Sequence, residues 1–167
     1  ISNQVGDSSV MGQVMAGINV TGKDILKINY SIMGNDPDVT YNLARMKEVD
    51  KDSSEYQTSS EKFRKKTENG YAYYIIEDIG EEYEENGNSH SEGIQIVKFS
   101  KHLEKESLYQ DRQVYNEMVK NMYEGITLSV TVTYGDGTTE IVDVGFKEVG
   151  GGDNSGKVSD KVAVYVK

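Results

Sequence analysis

The sequence predicts a mainly β protein, an antiparallel β-sandwich of about 7–8 strands with one inserted α-helix at about residues 107–123. Three observations carry this. Ile126, Leu128, Val130, Val132 and Tyr134 alternate with Thr127, Ser129, Thr131 and Thr133, which puts apolar side chains on one face and hydroxyls on the other. Gly135-Asp136-Gly137 supplies a turn, and Val142, Val144 and Phe146 resume the alternation as the second arm of a hairpin. The chain shows no strand–helix alternation and no internal repeat, as a doubly wound fold would require. Because the helix stands alone, the alternative is an α+β arrangement with one antiparallel sheet.

Taken in order, residues 1–13 are polar and read as a flexible N-terminal linker, leaving 14–167 as a single sandwich domain. Val14–Val20 reads as a strand. Leu26, Ile28, Tyr30 and Ile32 alternate with Lys27, Asn29 and Ser31 as a second. Residues 34–38 hold the only proline and form a turn, after which Val39, Tyr41 and Leu43 open a third strand reaching to Val49. Residues 50–69 have almost no apolar content and read as an exposed loop with one helical turn after Ser60. Tyr71–Glu77 is a dense run of β-formers suited to a central strand, and Ile94–Ser100 is another strand. Ser107 with Gln110 forms a capping box. Leu108, Tyr115, Met118, Val119 and Met122 then share one helical stripe, and Gly125 stands where a C-terminal cap glycine belongs. Residues 150–156 read as a glycine loop and Lys161–Lys167 as a last strand.

The chain of 167 residues has a formal charge of −10, which argues against nucleic acid and against anionic lipid. It has no cysteine, so disulfides, zinc–thiolate centres, iron–sulfur clusters and thiol nucleophiles are all excluded. No apolar run reaches the roughly 18 residues that a membrane-spanning helix needs, so direct insertion by this segment is not expected. Lys outnumbers Arg 15 to 3, a bias of AT-rich bacterial genomes, and the start at Ile1 reads as processing or excision from a longer protein.

Glu77, Asp78, Glu81, Glu82, Glu84 and Glu85, with Glu92 beyond them, form an acidic segment without Lys or Arg. It reads first as a solvated loop. Its sharper reading is a weak cation site, because calcium takes several oxygen ligands at about 2.3–2.6 Å. No other cofactor is implied. Lys62, Arg64, Lys65 and Lys66 beside Phe63 form the opposite pole, either solvated, loosely paired with the acidic segment, or touching a polymer or acidic partner. Gly151–Lys157 nearly matches a phosphate loop but is followed by Val158 and a strand, so it is rejected. His90 and His102 have no nucleophile elbow or zinc-protease motif around them. Tyr71, Tyr73, Tyr74 and Tyr83 keep a sugar-binding platform open, although the chain lacks Trp. A small hydrolase would need two carboxylates about 5–10 Å apart. Asn19 and Asn29 head two glycosylation sequons and are assigned no role.

The strand pattern, the terminal KVAVYVK and the VTVTYGDGTTE hairpin resemble the immunoglobulin-like β domains of Gram-positive extracytoplasmic proteins. Among them they are similar to the sheet domains of anchored regulators, such as anti-sigma factors and sensor peptidases. The resemblance covers 14–167 in texture and 126–140 as a motif, and the helix at 107–123 departs from it. It implies an immunoglobulin-like sandwich, secreted or membrane-anchored at the cell surface, and carries over no functional residues. The function expected is a non-catalytic sensor or protein-interaction domain whose partner is a protein or cell-wall polymer. The alternatives are an adhesive or structural module and the small carboxylate hydrolase.

Overall fold

Every strand ladder is antiparallel, and the strands sort into two five-stranded sheets facing each other across one core. The structure is a computed structural model that describes residues 8–87, 93–103, 112–149 and 162–167. Among the described residues there are ten strands and two helices. The first sheet has the order β1 (Ser8–Ile18), β7 (Ile94–Leu103), β3 (Val39–Val49), β5 (Gly70–Gly80), β4 (Lys62–Thr67). The second has β10 (Val162–Val166), β9 (Thr139–Glu148), β8 (Thr127–Tyr134), β2 (Ile25–Met33), β6 (Glu82–Asn86). Helix α1 (Ser54–Thr58) packs on β5, and α2 (Arg112–Glu124) packs on β9 and β1. The mainly β sandwich stands, and two separate sheets replace the one-sheet alternative.

The period of two becomes the core. Leu128, Val130 and Val132 on β8, together with Ile126 just before it, meet Ile28, Tyr30 and Ile32 on β2, while Leu43, Val97 and Phe99 face them from the first sheet. Leu128 pairs with Val144 and Val130 with Val142, so the hairpin at 126–146 has the register its alternation sets. At its tip Asp136 accepts from the Thr138 backbone N–H at 2.9 Å, and Gly137 takes φ +87°.

Several expected boundaries move. The stretch read as a linker enters β1 at Ser8, because its backbone pairs with β7 from Ser8↔Leu103 onward. Residues 50–69 are not a loop. Ser53 caps α1 by accepting from Tyr56 N–H at 3.2 Å, and β4 follows, so the helical turn lies before Ser60 rather than after it. The acidic segment is also strand, since β5 runs to Gly80 and β6 begins at Glu82. These two polar strands raise the count from eight to ten. Ser107, Gln110 and Leu108 of the expected helix start lie outside the described residues. Met122 and Tyr123 enter the core from α2, and Tyr115, Met118 and Val119 pack against it. Gly125 N–H donates to Asn121 O at 3.0 Å, prolonging the helical bonding, and it is not among the glycines with positive φ. The left-handed cap expected there is therefore not formed.

Gly80 carries the chain from the first sheet into the second. It has φ +89°, a region L side chains rarely adopt, yet a Cβ there would meet nothing closer than Glu82 O at 4.0 Å. Strain alone therefore opposes substitution. Gly80→Ala is expected to lower unfolding free energy by about 1–3 kcal/mol, read as a lower urea midpoint with an unchanged slope.

Candidate functional site

The exposed edge of the first sheet gathers cations and aromatics. β4 pairs with β5 through Phe63↔Tyr74, Arg64↔Tyr73 and Lys66↔Tyr71. Phe63 stacks on Tyr74 with ring centroids 5.4 Å apart, and Tyr56 of α1 meets Tyr73 edge-on at 5.2 Å. The Arg64 guanidinium lies 4.3 Å from the centre of the Tyr71 ring, the Lys62 ammonium 5.0 Å from Tyr56, and the Lys65 ammonium 5.6 Å from Tyr74. Ring quadrupoles thus hold the cations along the strand. Among the described residues Arg64, Lys65 and Lys66 have no carboxylate within ion-pair range, so the loose pairing with the acidic segment is not made. The result is an uncompensated positive, tyrosine-rich strip on a chain of net charge −10.

The six carboxylates of the acidic segment are dealt to different surfaces, as strand geometry demands. Glu77 lies on the inner side, where its Oε2 accepts from Arg45 Nε at 3.1 Å. Its neighbour Asp78 faces the opposite way and meets Lys98 Nζ at 2.7 Å, beside Glu61 at 2.5 Å. Desolvation pulls the Lys98 pKa down, but these two bonds outweigh it and hold the pKa above the usual lysine value. Glu81 is exposed between the strands, and Glu82 and Glu84 project outward opposite Ser31 and Asn29. Glu85 is buried and accepts from Gly93 N–H at 2.9 Å and from Tyr30 O–H at 3.4 Å. Among the described residues no three acids or histidines stand close enough to hold a metal ion. Tyr83 lies apart from Tyr71, Tyr73 and Tyr74, stacked on Tyr30 inside the sandwich and receiving a 2.9 Å bond from Arg45. His102 is exposed on β7, while His90, Glu92 and the glycine loop 150–156 lie outside the described residues.

A second feature is a cleft of about 1290 Å³ between α2 and the turn joining β2 to β3. Asp36 and Lys101 form an ion pair on its wall. That bond, with a further one from the Asp38 backbone, holds the Asp36 carboxyl below its usual range. Among the described residues Asn116 Nδ2, on the wall, and the Tyr123 hydroxyl are buried without a hydrogen-bond partner. Burial first, and then Glu148, Glu124 and Glu117, push the Tyr123 pKa up to about 12.

The missed site is β4. Asn69-Gly70 is a strong hairpin signal, and lysine on a strand is a mark of a sheet edge. The run of cations hid both, because it breaks any apolar alternation. The chain matches no protein-family model, no curated protein and no solved structure.

Two outcomes follow from this geometry. Tyr123→Phe removes a buried hydroxyl that has no partner among the described residues, so it is expected to raise stability at neutral pH by about 1 kcal/mol. The wild-type chain keeps Tyr123 protonated when folded, while the unfolded chain ionises it near its ordinary value. Wild-type stability should therefore fall between about pH 10 and 12 more steeply than that of Tyr123→Phe, measured by urea unfolding across that range. Because the acidic segment is split between faces, millimolar calcium should shift the melting temperature no further than matched ionic strength does. A specific rise would show a cation site.

Proposed function

We propose that the chain is a non-catalytic interaction domain of a bacterial membrane-anchored or secreted protein, acting outside the cytoplasm. The β4–β5 strip is its contact surface for an acidic protein or polymer. The observation that carries this is the set of cations, Arg64 and Lys65 held against tyrosine rings and Lys66 beside them, which have no carboxylate partner among the described residues. Tyr and Arg are the residue types that supply most interface energy, and an unneutralised positive strip on an acidic body selects a partner by charge. The sandwich architecture, widespread among cell-surface domains, and the lack of cysteine support the location.

A second reading, an adhesive or structural module for a neutral polymer, is favoured by the outer face of the second sheet. There Ser31, Asn29, Ser129 and Thr131 lie side by side in register. The two readings separate by titration with poly-glutamate, a poly(glycerol phosphate) and a neutral glycan. The acidic probes are expected to bind, and Arg64→Ala/Lys65→Ala/Lys66→Ala to weaken that binding roughly tenfold. Neutral-glycan binding lost in Thr131→Val would support the adhesive module instead. Acidic probes that bind the triple variant as tightly as wild type would remove the proposal.

A further inference from the structure

The two charged edges of the sandwich have opposite signs. β4 closes one end of the first sheet and carries Lys62, Arg64, Lys65 and Lys66 with no acid. β6 closes one end of the second sheet and carries Glu82, Glu84 and Glu85 with no base. Glu82 and Glu84 are exposed and, like Arg64, Lys65 and Lys66, have no ion-pair partner among the described residues. Some charges elsewhere are matched within the chain, as with Lys98 to Asp78 and Glu61, Lys47 to Glu55, and Lys120 to Glu148. β4 and β6 thus present unpaired charge of opposite sign on two edge strands, whose outer backbone groups are the template for strand addition.

We infer that the β4 edge pairs with the β6 edge of a second copy of this chain, joining the first sheet of one molecule to the second sheet of the next. This rests on reading β4 as a contact surface and names its partner. Spacing supports it as well as sign. Arg64 and Lys66 lie two residues apart on one face of β4, and Glu82 and Glu84 lie two apart on one face of β6. One register therefore sets two cations directly opposite two carboxylates, where cross-strand charge pairs contribute most. The same charges reject the competing contacts, because β4 against β4 or β6 against β6 places like charges opposite each other.

The test is a charge exchange followed by sedimentation. Wild type is expected to associate with rising concentration. Arg64→Glu/Lys66→Glu makes both edges acidic, and Glu82→Lys/Glu84→Lys makes both basic, so each variant alone should be monomeric. Their equimolar mixture should associate again, because each β4–β6 contact between the two variants then has opposite signs. Circular dichroism confirms that each variant is folded, and the single changes Arg64→Glu and Glu84→Lys replace any pair that is not. A wild type that stays monomeric at every concentration, or a mixture that does, overturns the inference. If polyanions still bind wild type and not the alanine triple variant, the interaction reading survives that failure. If they do not, both fall together.

Discussion

Residues 70–86 serve both sheets, and the sandwich is organised around the point where they cross. Gly80 pairs with Leu43 as the last residue of β5. One residue later, the Glu81 carbonyl accepts from Ile32 N–H at 3.1 Å in the second sheet. Only a backbone free to adopt φ +89° makes that transfer without a loop. Arg45 then spans the gap, bonded to Glu77 on β5 and to the Tyr83 hydroxyl on β6. A partly buried ion pair of this kind adds little net stability. Its effect is positional, because it ties β5 and β6 on either side of the crossing to one β3 side chain.

The crossing also determines where charge goes. Inner positions of β2, β3, β7 and β8 are filled by Ile, Leu, Val, Tyr and Phe. The strip of strand beyond the core, β4, has no apolar layer to meet and is held instead by ring stacking and cation–π contacts. β6 is anchored by Tyr83 and by the buried Glu85, whose bonds from Tyr30 and Gly93 offset the cost of burying a carboxylate. The remaining glutamates of β6 are turned to solvent. An acidic body with one basic edge follows from these placements.

How much of this was legible depends on the source of each strand's stability. Where burial of one face holds a strand, as in β2, β8 and the first half of β3, the period of two is written in the residues and could be read directly. β4 and β6 have no such period. KFRKKT and EYEEN resemble solvated loops, and they are strands because β5 and β2 offer them hydrogen-bonding edges. Likewise nothing local marks Glu77 and Asp78 as occupants of opposite faces, or Glu85 as the buried one among six acids.

By itself the sequence determined the fold class, the hairpin register at 126–146 and the inward face of α2, since each depends on apolar periodicity within one segment. The tertiary structure decided the two polar edge strands, the transfer at Gly80 and the separation of the acidic residues. β6 and the transfer at Gly80 rest on pairings with β2 and β3, segments distant in the chain, while β4 rests on a local hairpin whose cations hide any apolar alternation.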